Sequence, residues 1–170
     1  MNSNNPTAEI ETNKGTIKVE LFEEDAPDTI DNFIKYVKED FYHWTVFHRV
    51  IDNFMIQGGG FKPGMIKKEP IFEPIKNEAS ESKHRNKRGT IAMARTSDPD
   101  SATSQFFINL KHNKRLDWDK ARDVHGYCVF GKVIDGMDVV DKIASIETHT
   151  EKGHKDVPID DVIIKNIQID

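Results

Sequence analysis

The sequence predicts a mainly β fold: an antiparallel sheet closed into a barrel, with α-helices as lids. Two observations carry this. Short runs of β-branched and aromatic residues recur at Phe47–Ile51, Met55–Gln57, Thr90–Ala94, Gln105–Leu110, Tyr127–Val133 and Val162–Ile169. Only two segments have a helical period and they stand far apart, which argues against an alternating βαβ plan and for an antiparallel barrel.

Residues 1–7 are expected to form a flexible N-terminal tail. From Ala8 the pattern is strand-like: Ile17, Val19 and Leu21 alternate with Lys18 and Glu20, the period of a half-buried strand. Asn13-Lys14-Gly15 reads as a hairpin turn. A first helix follows, with Asp25 as its expected cap, Pro27 in its first turn, and Ile30, Phe33, Ile34 and Val37 as one apolar stripe. Lys62–Arg88 is polar and broken by Pro63, Gly64, Pro70 and Pro74; it reads as an ordered loop system rather than a linker. Gly136–Ala144 is the second helix, with Met137, Val140, Ile143 and Ala144 on one side. No internal repeat or low-complexity segment interrupts this plan.

The chain's 170 residues suit a single domain over 1–170 with its own core. A net charge of -5 and a pI near 5.8 argue against a general nucleic-acid binder. Cys128 is the only cysteine, so no internal disulfide can form, which fits a reducing compartment. The first residues lack a signal-peptide core, and no apolar run approaches the roughly 18 residues of a membrane span. A cytoplasmic monomer without membrane attachment is expected.

Strand alternation sorts the side chains of SQFFINL: Phe106, Ile108 and Leu110 on an apolar face, Gln105, Phe107 and Asn109 on the other. In FMIQ, Met55 and Gln57 likewise share a face. Arg49, Met55, Gln57, Gln105 and Phe107 can therefore line one pocket, apolar with a few directed polar groups. Two readings of Arg49 stay open on the residues alone: a structural ion-pair partner, or a guanidinium aimed at a ligand. Gly58, Gly59 and Gly60 beside it serve either a sharp turn or a close backbone approach.

Other chemistries find little support. A GxGxxG starting at Gly58 would need glycine where Pro63 stands, and no GK[ST] follows. No GxSxG elbow is present. His149 and His154 have no further matching ligand set, so no metal and no cofactor are expected. The basic run Lys83–Arg88 reads as a solvated loop near the groove, and Cys128 as a small buried apolar residue.

FHRVIDNFMIQGG (Phe47–Gly59), GTIAMAR (Gly89–Arg95), SQFFINL (Ser104–Leu110) and GYCVFGKVIDGMDVVDKI (Gly126–Ile143) together resemble the cyclophilins, in order and in spacing. The similarity runs from about Ala8 to Ile169 and is closest to compact, single-domain, bacterial-type members. It implies a closed eight-stranded antiparallel barrel capped by two α-helices, and peptidyl-prolyl cis-trans isomerase activity with no cofactor. By the same resemblance Arg49 is catalytic and Gln57 orients it. Phe54, Met55, Phe107 and Leu116 hold the proline, and the Ala94–Arg95 backbone and Gln105 bind the chain preceding it. His48 and Tyr127 complete the substrate-binding set, Tyr127 at the pocket edge where many relatives carry histidine. The implied partners are proline-containing peptides and unfolded or partly folded proteins. A peptide-binding or chaperone module with incidental isomerase activity is the alternative; it could dispense with Arg49, which is present here. Arg115 stands where many cyclophilins place a tryptophan just before the leucine matching Leu116, so the inhibitor cyclosporin is expected to bind weakly. Arg95 stands where many carry asparagine, and both changes are expected to add positive charge at the groove.

Overall fold

The structure is a computed structural model that describes residues 4–170. Its elements in chain order are β1 (Thr7–Thr12), β2 (Gly15–Leu21), α1 (Pro27–Lys38), β3 (Thr45–Ile51), β4 (Met55–Gly58), β5 (Phe61–Lys62), β6 (Ile66–Lys67), α2 (Ala79–Ser82), β7 (Thr90–Met93), β8 (Phe106–Asn109), β9 (Val129–Asp135), α3 (Met137–Ala144), β10 (Thr148–Glu151), β11 (His154–Pro158) and β12 (Ile163–Ile169). Eight strands close into an antiparallel barrel in the order β1-β12-β3-β4-β8-β7-β9-β2. The expected hairpin joins β1 to β2. Its Gly15 has a φ of +136°, and a side chain there would meet Val139 of α3 at 2.7 Å.

The apolar stripes of α1 and α3 turn into the barrel core as expected, burying Ile30, Phe33 and Val37 from one and Val140, Ile143 and Ala144 from the other. Phe33 is fully buried within ring contact of Tyr42, Phe106 and Phe130. Truncating such a ring to alanine costs about 3–5 kcal/mol. The third helix, α2, was not foreseen: four residues are too few to show a period. It lies within the loop system 62–88, which is ordered and tied down by the Ile75–Ala102 bridge.

Two expectations are corrected here. Asp25 does not cap α1; its carboxylate pairs with His84 at 2.8 Å. The cap comes from Glu78, buried beside α2, whose carboxylate accepts from Asp28 N at 3.3 Å, Thr29 N at 2.7 Å and Thr29 Oγ1 at 2.6 Å. A carboxylate from a distant loop satisfies donors at the positive end of the helix. The expected tail over 1–7 lies partly outside the described residues. Within them, Thr7 is already strand, paired to Glu20, and Pro6 O accepts from Leu21 N at 2.9 Å.

The local irregularity that matters most lies in β3. Phe47 pairs with Gly58 but Arg49 with Gln57, so β3 carries one residue more than β4 across that step, a bulge at His48. Phe47 and Val50 both reach the central core, a spacing of three that regular alternation forbids. The bulge thereby turns Arg49 to the outside of the barrel. Beside it a second apolar cluster of Phe22, Met55, Ala92, Phe107 and Val129 is built on the barrel wall. No helix among the described residues is long and apolar enough to cross a membrane.

Candidate active site

Arg49, Phe54, Met55, Gln57, Ala94, Arg95, Phe107, Leu116 and Tyr127 line one cleft of about 230 Å³ on the outer face of β3, β4, β7 and β8. Pairing of β4 with β8 sets Met55 opposite Asn109 and Gln57 opposite Phe107. Two strands thus supply the apolar wall and the amide row that the sequence pattern anticipates. Phe54 and Leu116 close the cleft on one side; Tyr127 stands edge-on to Phe107, ring centroids 5.7 Å apart.

The polar groups form a chain. Arg49 Nη1 donates to Gln57 Oε1 at 3.4 Å, and Gln57 Nε2 donates to Gln105 Oε1 at 3.0 Å. Among the described residues Arg49 has no ion pair, which removes the reading of it as a structural ion-pair partner; its other N–H groups have no protein acceptor. Gln105 lies at the edge, lining an adjoining cleft of about 280 Å³ with Ala94 and Arg95. Gly60 makes room for it: a Cβ there would sit 2.5 Å from the Gln105 side chain. Gly59 takes a φ of +91°, so the glycine run serves both a turn and a close approach.

Arg95 does not add a free charge to the groove. Its side chain is only 3% exposed, and its guanidinium pairs with Asp123 at 2.6 Å, donates to Gly126 O at 2.7 Å and stacks on Tyr127 at 4.2 Å. Burial pushes the Asp123 carboxyl up, but hydrogen bonds from Arg95 and from the Gly126 and His125 N–H groups outweigh it and hold the pKa down at about 2. What Arg95 offers the cleft is backbone: its N–H and C=O have no partner among the described residues, while Ala94 N is already bonded to Gln105 O at 3.0 Å.

His48 is a correction. The bulge turns it away from Arg49, so it lines none of the cleft. It is 6% exposed, packs on Phe61 with ring centroids 4.4 Å apart, and its buried Nδ1 has no partner. Burial, then electrostatic repulsion from the neighbouring His154 and Arg49, lower its pKa from 6.5 to about 4, so it is held neutral. The run Lys83–Arg88 also departs from a solvated loop: His84 pairs with Asp25, Arg85 with Asp119 at 2.8 Å and Arg88 with Asp141 at 2.7 Å, while Asn86 is wholly buried.

The residues that sequence reasoning missed lie behind the wall. Asn86 N donates to Asp117 Oδ1 at 2.6 Å, and its amide donates to Leu116 O at 3.1 Å and Tyr127 O at 3.3 Å. Asn109 Nδ2 donates to Asn86 Oδ1 at 3.1 Å, and Asn113 Nδ2 to Asn109 Oδ1 and Phe54 O, both at 2.8 Å. This buried network fixes the backbones of Phe54, Leu116 and Tyr127, three members of the cleft wall. Its one signal in the sequence is Asn109, a second amide on the face that Gln105 and Phe107 share.

Cyclophilin type peptidyl-prolyl cis-trans isomerase/CLD is the family that matches, over residues 7–169. The chain is 52% identical over 159 residues to peptidyl-prolyl cis-trans isomerase B of Escherichia coli K12, covering 93% of this chain and 96% of that one. It is 55% identical over 165 residues to a peptidyl-prolyl cis-trans isomerase of Acinetobacter baylyi, covering 97% and 86%. A crystal structure of a cyclophilin-type isomerase from Cryptosporidium parvum superposes with a TM-score of 0.81 at 30% identity, over 98% of each chain. A second structure of that protein, obtained in the presence of the dipeptide Ala-Pro, gives 0.80 at 32% identity, over 96% of this chain and 98% of the other.

Proposed function

Because this chain belongs to the cyclophilin-type peptidyl-prolyl cis-trans isomerases and is itself an isomerase of X–Pro bonds, we propose that the Arg49 cleft is where the bond turns. Amide resonance sets a barrier of roughly 18–20 kcal/mol. At a right-angle twist that resonance is lost, and the proline nitrogen becomes pyramidal and regains a lone pair. A guanidinium N–H can donate to that lone pair, whereas the planar amide has no such acceptor. The bond therefore favours the transition state, the condition for catalysis. No covalent intermediate is involved.

The observation that carries this reading is the placement of Arg49, turned outward by the bulge, without an acid partner among the described residues, and restrained on one edge by Gln57. Phe54, Met55, Phe107 and Leu116 hold the proline ring while the preceding carbonyl rotates. The free N–H and C=O of Arg95 and the Gln105 amide receive the chain before proline, as an added strand would be received. One preorganised donor supplies roughly 3–4 kcal/mol; confinement of the ring supplies the remainder. His48 is not in this set. The clients we propose are unfolded or partly folded proteins, met by a monomer in the cytoplasm; the buried Cys128, its thiol pushed up to about 12 by burial, asks for no oxidising compartment.

Magnetisation-exchange NMR on an Ala–Pro peptide tests the assignment. Arg49→Ala should lose most of the turnover while peptide binding weakens much less, and Arg49→Lys should rescue poorly because an ammonium lacks the planar fork. Near wild-type exchange from Arg49→Ala would move the chemistry elsewhere.

A further inference from the structure

The proline cleft is the middle of three. It shares Gln57, Ala94 and Arg95 with the cleft of about 280 Å³, and Phe54 and Leu116 with another of about 630 Å³. The two flanking clefts share no lining residue with each other. If the chain before proline lies along Gln105 and Arg95, as proposed above, the chain after it leaves over Phe54 and Leu116 into the larger cleft.

That exit is cationic. Lys111, Lys114 and Arg115 line it, all three exposed. Among the described residues none of them has a carboxylate within ion-pair distance, whereas Arg88 and Arg95 each hold one and Arg85 holds two. Residues 111–116, KHNKRL, contain no acid, on a chain whose net charge is -5. The segment is rigidly based: Asn113 is buried and donates to Phe54 O at 2.8 Å, and His112 Nε2 lies 3.1 Å from the buried Asp117. On the opposite side, Arg95 is neutralised by Asp123 and the Lys68 ammonium is held on Phe41 O at 2.6 Å, so that among the described residues Lys67 is the lining cation there without a protein acceptor.

We infer that the Lys111–Arg115 face binds acidic side chains lying a few residues after the proline, so that the preferred clients of this isomerase carry aspartate or glutamate on the C-terminal side of the bond being turned. The inference rests on the proposed site and extends it to substrate choice. Cations that hold no internal ion pair meet a carboxylate without first breaking one. The apolar floor of Phe54 and Leu116, continuous with the proline cleft, favours a peptide over a nucleic acid, which the net negative charge of the chain also disfavours.

The test compares four short peptides around one Ala–Pro bond: uncharged, Asp-Asp after proline, Lys-Lys after proline, and Asp-Asp before it. At about 0.02 M salt the acid-after peptide should show a KM about fivefold below the lysine-after peptide, a gap that closes at about 0.5 M salt. A combined Lys111→Gln, Lys114→Gln, Arg115→Gln variant should lose the gap. Equal KM values for the two peptides, a stronger preference for acid before proline, or a gap that persists in the triple variant would each overturn the inference. So would binding of a single-stranded oligonucleotide at this face in place of the acidic peptide. The uncharged peptide separates the two claims: its turnover depends on Arg49 if the site is right, whatever the outcome for charge.

Discussion

Arg49 and Gln57 face each other across the β3–β4 ladder, and their side chains meet outside the barrel with Nη1 3.4 Å from Oε1. The bond is long, so Gln57 restrains the guanidinium rather than clamping it. Because Gln57 also donates to Gln105 at 3.0 Å, one amide couples the proposed catalytic group to the proposed peptide-binding edge.

Gln57→Ala should therefore lower kcat/KM about tenfold, equivalent to about 1.4 kcal/mol, with more of the loss in kcat than in KM. Gln105→Ala should show the reverse split. Exchange NMR at several peptide concentrations resolves the two parameters, and a Gln57→Ala enzyme with unchanged kcat would remove the positioning role.

The amide network behind the wall predicts a different signature. Asn113→Ala leaves Asn109 Oδ1 without its donor and Phe54 O with the Leu110 N–H alone, and a buried acceptor stripped of its partner costs about 1–3 kcal/mol. Thermal stability should fall, and KM for the uncharged Ala–Pro peptide should rise because Phe54 and Leu116 lose their fixed base. Lower stability with unchanged KM would make the network a feature of folding alone.

Glu78→Ala should destabilise without touching catalysis. It removes the acceptor for two backbone N–H groups and the Thr29 hydroxyl at the start of α1. A lost cap costs up to about 2 kcal/mol, a fall in Tm of about 4–8 °C for a chain of this size. Asp25→Ala, the substitution that the sequence alone would nominate, should change Tm little. Calorimetry of both variants decides which carboxylate caps the helix.

His48 gives the fold a pH dependence of known sign. Its pKa is about 4 in the folded chain against 6.5 ordinarily, so between those values the unfolded chain takes up a proton that the folded chain refuses. The stabilisation is complete above pH 6.5, is lost as pH falls towards 4, and amounts to at most about 3 kcal/mol. Asp123 titrates lower, between its ordinary 3.8 and about 2, and does not share this window. Urea unfolding at neutral pH and near pH 4.5 should show the loss in the wild type and much less of it in His48→Gln. Equal losses in both proteins would rule out His48 as the cause.

The barrel was legible because its strands are short, β-branched and evenly punctuated, and the stripes of both long helices are visible by spacing alone. The lining of the candidate cleft was legible for the same reason: Met55 with Gln57 and Gln105 with Phe107 follow strict alternation. What alternation hides is its own violation. Nothing in FHRVID announces that His48 is a bulge, yet the bulge decides that Arg49 faces the cleft and His48 does not. Long-range partners are equally silent, since Glu78 caps a helix that begins some fifty residues earlier, and Asn86, Asn109 and Asn113 meet only once the loops have folded. Charge at a position does not reveal whether it is spent: Arg95 and Arg115 look alike in the sequence, but the first is buried against Asp123 and the second is exposed, with no ion pair among the described residues.

That difference decides the last prediction, on cyclosporin. The resemblance to cyclophilins implies that a tryptophan at the position of Arg115 supplies a flat apolar wall and an indole donor to the drug. Here Arg115 is exposed in the short 3₁₀ turn Lys114–Leu116. Its stem can cover apolar surface, but its head must stay hydrated, so burial under an uncharged macrocycle is penalised. Trp118 offers no substitute: it packs against the central core beneath the Arg85 guanidinium, 4.7 Å from the ring centroid, and does not line the cleft. A lost aromatic contact and a lost hydrogen bond are each worth about 1 kcal/mol, so inhibition should be at least about tenfold weaker than for a tryptophan-bearing relative, with ordinary peptide turnover little changed. Arg115→Trp should recover part of the affinity. Trp118→Phe, which keeps the apolar packing, should leave inhibition as it is. Titration of the three proteins separates the cases: tight inhibition of the wild type that disappears in Trp118→Phe would mean that the indole reaches the drug, and tight inhibition of all three would mean that the wall at position 115 contributes nothing.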